Sequence, residues 1–148
     1  MSELPNSDAP SVPQALGRLR IALNESFSRA SRAEGLTPQQ AELLCWSFQP
    51  HSISELAELM RCERSNVSHL VNRAAARHLL TRSADSEDAR VSRVRLTDQG
   101  QRVATQFIHR LESLTAPMRS EWSTEQSEAA SVLLTEIAES LESQPHES

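Results

Sequence analysis

Residues 52–97 read SISELAELMRCERSNVSHLVNRAAARHLLTRSADSEDARVSRVRLT. Ser52 followed by Glu55 is a capping box, in which hydroxyl and carboxylate each take a free backbone N–H at a helix start. Ile53, Leu56, Ala57 and Met60 then recur at helical spacing and predict a short buried stripe. A turn near Arg61–Glu63 separates this pattern from a second one. In the second, Val67, Leu70, Val71 and Ala74 share one face, and Ser65, His69, Asn72 and Ala76 share the opposite one. Asn66, Ser68 and Arg73 lie on its flanks. Leu79–Ser83 and Ser92–Leu96 alternate as short strands, with Val94 and Leu96 expected inward and Arg93 and Arg95 outward. The loop between them, Asp85-Ser86-Glu87-Asp88-Ala89-Arg90, is polar and too irregular for a two-residue hairpin turn.

The order is helix, turn, helix, hairpin: the plan of a winged helix-turn-helix. An outward face of small polar residues with Asn and Arg suits major-groove readout, and an arginine near a ribbon tip suits a narrow minor groove. An ordinary solvated helix and a hairpin whose Asp88 and Arg90 simply pair are the plainer alternatives. Such a surface pair stabilises little.

Outward from this stretch, Thr37-Pro38-Gln39-Gln40 predicts a helix start, with Thr37 as cap, Pro38 in the first turn and Gln40 closing the box. That helix should run to about Phe48, before Pro50. Val12, Ala15, Leu16, Leu19, Ala22, Leu23, Phe27 and Ala30 mark one face of a longer helix that Gly35 should stop. Beyond the hairpin, Thr97 should cap a helix carrying Val103, Ala104, Phe107, Ile108, Leu111 and Leu114, which Pro117 should break or bend. A last helix should start near Ser123 or Thr124, with Leu133, Leu134, Ile137, Ala138 and Leu141 as its stripe.

Composition agrees with a mainly α chain. Aromatics make up 3%, glycine occurs three times and tyrosine not at all, which disfavours a β protein rich in tight turns. The 148 residues suit one domain with added helices. The net charge of −5 argues against polyanion binding until it is resolved along the chain. Residues 101–148 hold eight acids and three arginines, whereas 61–95 hold eight arginines and four acids. Phosphate responds to the local field. All fifteen basic residues are arginine, which suits bidentate contacts, although codon bias explains the same composition.

Cys45 and Cys62 make no disulfide framework, and no zinc spacing is present. Cys45 falls in an apolar helix; Cys62, between Arg61 and Arg64, is the better thiolate candidate. No segment has the apolar length of a signal core or a membrane span, so a soluble cytoplasmic protein is expected. No catalytic constellation or cofactor motif stands out.

In element order and in local words the chain resembles the MarR family (multiple antibiotic resistance regulators). Ser65-Asn66-Val67-Ser68-His69-Leu70-Val71-Asn72-Arg73 follows the family's S-x-V-S-x-L-V-x-R. Asp85-Ser86-Glu87-Asp88-Ala89-Arg90 follows its D-P-x-D-R-R, and Val94 to Gly100 its V-x-L-T-x-x-G. Arg61 and His78 stand where the family often has glycine, so a local backbone difference is expected there. Ser86 and Ala89 replace the wing proline and the first wing arginine, which leaves Arg90 at the tip.

The resemblance implies a homodimeric regulator that binds double-stranded DNA, with interlocked terminal helices. The expected layout is a disordered arm over 1–11, a helical dimerisation region over 12–35 and 101–142, a DNA-binding lobe over 36–100, and a disordered tail over 143–148. Expected DNA contacts are Arg64, Ser65, Asn66, Ser68, His69, Asn72, Arg73, Arg82, Arg90, Arg93 and Arg95. Phe27, Trp46 and His51 are candidates for an aromatic or anionic effector. A redox-responsive regulator acting through Cys62 and a helical interaction adaptor without DNA binding are the alternative readings.

Overall fold

A computed structural model describes residues 9–143. The expected arm falls outside the described residues up to residue 8, as does the tail from 144. The helices are α1 (Val12–Ala33), α2 (Pro38–Trp46), α3 (Ile53–Leu59), α4 (Arg64–Ala76), α5 (Asp98–Glu121) and α6 (Thr124–Glu142). Strands β1 (Leu80–Ala84) and β2 (Ser92–Leu96) stand between α4 and α5. They pair antiparallel, with Leu80 opposite Leu96 and Arg82 opposite Val94.

The helix starts follow from short-range chemistry. Thr37 Oγ1 accepts the Gln40 N–H while Gln40 Oε1 accepts the Thr37 N–H. Ser52 and Glu55 make the same exchange, as do Ser123 and Gln126. Gly35 follows the end of α1 at φ +67°, the left-handed conformation glycine adopts without cost. Arg61 and His78 take φ 50° and 58°. Both non-glycine residues take the left-handed conformation, at a cost of about 1–2 kcal/mol each.

Two compact units divide between Leu111 and Glu112. The first contains the core. Leu43, Leu44, Leu56, Val67, Val71, Val94, Ala104 and Phe107 are buried, and Phe27, Ile53, Met60, Leu96 and Val103 pack against them. The hairpin has a third backbone partner in the segment after α2. His51 and Val94 exchange two hydrogen bonds (3.1 and 2.7 Å), and the Leu96 N–H donates to the Ser47 carbonyl. At the hairpin base, the Thr97 N–H donates to the Leu79 carbonyl. Thr97 Oγ1 donates to the His78 carbonyl and accepts the Gly100 N–H. Gly100 is required here, since a Cβ would stand 1.9 Å from the Leu79 oxygen.

The second unit contains the end of α5 and all of α6. Pro117 does not break α5, which continues to Glu121. That turn is exposed, so water can take the carbonyl left without a donor by the proline. No residue of α6 is buried.

Candidate nucleic-acid interface

The start of α4 and the two strands face one another across a cleft of about 700 Å³. Arg64, Ser65 and Ser68 come from α4, Arg82 from β1, Arg90 to Ser92 from the wing, and Ser52 to Ser54 from the start of α3. Three guanidiniums and several hydroxyls therefore border one open, polar hollow. Among the described residues no carboxylate lines it. The arrangement can bind phosphate, because guanidinium forks match its oxygens and hydroxyls donate to them.

Helix α4 is positioned by its inner face. Val67, Leu70, Val71 and Ala74 are buried, as the periodicity predicts, so Ser65, Asn66, His69, Asn72 and Arg73 are exposed. Ser68 is half-buried. Asn72 is drawn into the cleft's network because Arg82 Nη2 donates to its Oδ1 at 2.7 Å. Asn66 instead borders a shallower hollow with Arg61, Cys62 and Glu63.

The wing loop is organised by one carboxylate. Asp85 Oδ1 accepts the backbone N–H groups of Glu87 (2.7 Å) and Asp88 (3.2 Å), and its Oδ2 accepts from Arg93 Nε. Arg93 holds its carboxyl down to about 2, assisted by the two backbone donors. Arg93 Nη1 also donates to Glu55 on α3. Glu55 is lowered as well, first by the Ser52 N–H and then by Arg93. The expected Asp88–Arg90 pairing takes a different form, in which the Arg90 backbone N–H donates to Asp88 Oδ1 (3.0 Å) and the Arg90 side chain lines the cleft.

Two expectations are corrected here. Arg93 was placed outward among phosphate-binding arginines, yet its side chain is only 29% exposed and its fork is taken by Asp85 and Glu55. Its role is to tie the wing to α3. Arg95 is exposed on the same strand, opposite Thr81. Cys62 was expected to be activated by Arg61 and Arg64. Burial pushes its thiol up instead, and Glu42 and Glu63 add to this. Cys45 is raised to about 11 by burial and Glu42. Neither environment favours a thiolate at neutral pH.

The effector candidates lie in different settings. Phe27 packs edge-on against Phe107, with centroids 4.9 Å apart. His51 is bonded through its backbone to β2, and its Nδ1 lies 2.8 Å from the Gln49 carbonyl. Trp46 ends α2 with 41% of its surface exposed. Among the described residues no cluster of His, Cys, Asp and Glu could hold a metal ion, and no helix is long and apolar enough to cross a membrane.

Sequence reasoning missed Asp85 and Glu55 as organisers of the wing, and Ser52 and Ser54 as cleft residues. Asp85 carried a signal, since an aspartate two or three residues before loop amides is poised for an Asx turn. Glu55 carried none for its second bond, whose partner is 38 residues away.

Comparisons with known proteins agree with this architecture. Residues 36–92 match the profile of the MarR family. The chain is 28% identical over 100 residues to the HTH-type transcriptional repressor MdtR of Bacillus subtilis, an alignment covering 61% of this chain and 64% of MdtR. The chain thus spans about 64% of that relative's length. Apo MarR from E. coli superposes with a TM-score of 0.72 at 13% identity, over 88% of this chain and 98% of that one. An S. aureus MepR–DNA complex gives 0.73 at 17% identity, over 88% and 96%. At these identities the two structures show the shared fold.

Proposed function

We propose that this chain, whose residues 36–92 match the MarR-family model, is a homodimeric, sequence-specific DNA-binding regulator, a repressor of a pseudo-palindromic operator. The observation that carries the reading is the arginine-lined cleft between α4 and the wing. Helix α4 would enter the major groove with Ser65, Ser68, His69, Asn72 and Arg73 toward base edges. Arg64 and Arg82 would meet phosphate, and Arg90 would reach the adjacent minor groove. The reading makes the chain a cytoplasmic regulator rather than an enzyme, and resolves the apparent conflict with its acidic total charge.

A second copy is part of the proposal. Ile21 and Leu23 of α1 and Leu133, Leu134 and Leu141 of α6 are exposed, and burial against an identical chain is their natural outlet. Two-fold symmetry would then space the half-sites about 34–36 Å apart. Release by a small aromatic or anionic ligand is a separate part of the reading. It would engage the exposed indole of Trp46 sooner than Phe27, whose ring is committed to Phe107.

The test is a titration of duplex DNA across salt concentrations. Three cleft arginines per protomer give a slope of log K against log salt of about −5 for a dimer, and Arg64→Ala or Arg90→Ala should each flatten it. Absence of duplex binding at low salt, or binding indifferent to salt, would refute the reading and favour the adaptor. Calorimetry with aromatic carboxylates tests the effector, and no heat together with unchanged DNA affinity would remove it.

A further inference from the structure

The contact between Arg82 and Asn72 carries a consequence for base preference, resting on the DNA-binding reading above. Strand β1 places Arg82 opposite Val94, on the same face as buried Leu80, so its side chain extends toward α4. There its Nη2 donates to Asn72 at 2.7 Å. A guanidinium has donors and no acceptor, so the amide atom facing it must be Oδ1. The hydrogen bond is charge-assisted, and it removes the freedom of the Asn72 amide to exchange its oxygen and nitrogen by rotation.

We infer that Arg82 is a positioning residue that fixes the Asn72 amide in one sense, so that Asn72 presents its Nδ2 donors to the major groove and selects against cytosine at the base it meets. The chemistry is asymmetric. Adenine and guanine offer N7 there, guanine adds O6 and thymine offers O4, all acceptors for an amide N–H. Cytosine offers its N4 amino group, a donor. A free asparagine turns its Oδ1 outward to accept from N4; an asparagine held by Arg82 has that oxygen turned toward the guanidinium. Specificity at one base pair would thus be set by a residue on the neighbouring strand.

The experiment uses the full chain as wild type, Arg82→Met, Asn72→Ala and the double variant, each selecting duplexes from a randomised pool. The position read by Asn72 is the one whose preference disappears in Asn72→Ala. Wild type should exclude cytosine there, and Arg82→Met should admit it about fivefold to tenfold more often. In the Asn72→Ala background Arg82→Met should change nothing further at that position, because its effect passes through Asn72. In the absence of DNA, the Asn72 side-chain amide resonance should shift in Arg82→Met. Three results overturn the inference: cytosine accepted by wild type, an Arg82→Met effect persisting without Asn72, or an amide resonance that does not move. Wild type that binds no duplex sinks the DNA-binding reading and this inference with it, whereas duplex binding without such a position sinks the inference alone.

Discussion

Helices α4 and α6 are both amphipathic in sequence, yet only α4 has its apolar face buried within the chain. Between Ala30 and Phe107 the chain buries a continuous cluster supplied by α1, α2, α3, α4, the hairpin and α5. Over its 19 residues α6 buries none, and Leu134 and Leu141 stay 49% and 60% exposed. The contrast teaches that periodicity reports which face of a helix is apolar, not what covers it. In the lobe the cover comes from elements brought together by short turns. In α6 the proposed cover is a second chain.

The most severe challenge to this contrast is removal of a lobe core side chain. Phe107→Ala should cost about 3–5 kcal/mol by urea denaturation, because the ring is fully buried against Phe27. A cost near that of a surface substitution would show that the lobe core is not the stabilising one. Gly100→Ala comes next. In a helix alanine ordinarily gains about 1 kcal/mol over glycine, but here the new Cβ would meet the Leu79 carbonyl. A net loss of about 1–3 kcal/mol is expected, and a gain in melting temperature would contradict the close approach.

Leu134→Ala addresses the other side. It should alter the stability of the dilute protein by only about 0.5 kcal/mol, while raising the concentration at which dimers dissociate in sedimentation. Sedimentation unchanged by this variant and by Leu141→Ala would leave the α6 stripe without its proposed cover.

The smallest expected effect concerns the wing. The folded Asp85 carboxyl lies near 2, below its ordinary 3.8. Its contribution to wing order is therefore complete above the ordinary value and lost as pH falls through the window from 3.8 toward 2. Nuclear magnetic resonance of the Glu87 and Asp88 amides should show them holding until that window. Asp85→Asn should keep the Oδ1 acceptor and lose the ion pair, and Asp85→Ala should lose both.

What could be read in advance divides by distance along the chain. The boxes at Thr37 and Ser52 use partners three residues away, so composition reveals them. The buried face of α4 repeats every three or four residues and is equally visible. Helix α6 starts at Thr124 with Ser123 as its cap, the two residues near which the start was expected. Partners of a charged side chain are another matter. Arg93 meets Glu55 across 38 residues, and Cys62 is raised partly by Glu42, which belongs to α2. Sequence neighbours suggested cations around that thiol, while the fold supplied burial and the Glu42 carboxylate. Of the candidate site, Arg64, Ser65, Ser68, Arg82 and Arg90 border one cleft. That cleft depends on hairpin register, which alternation suggests without fixing its depth against α4.

The bonds at the hairpin base have a further consequence. Thr97 is joined to His78 and Leu79, and His51 to Val94, so the hairpin is anchored on the lobe side of its tip. Asp85 is tied through Arg93 to α3, and Arg90 and Val91 line the cleft, so residues 86–89 are the pendant segment whose length the rest of the fold does not prescribe. Doubling such a loop costs only about 0.6 kcal/mol in closure entropy. The tip can be exchanged as a cassette, longer or shorter, while the scaffold beneath it keeps its shape. Changes of reach along the groove are therefore open to variation without refolding the lobe.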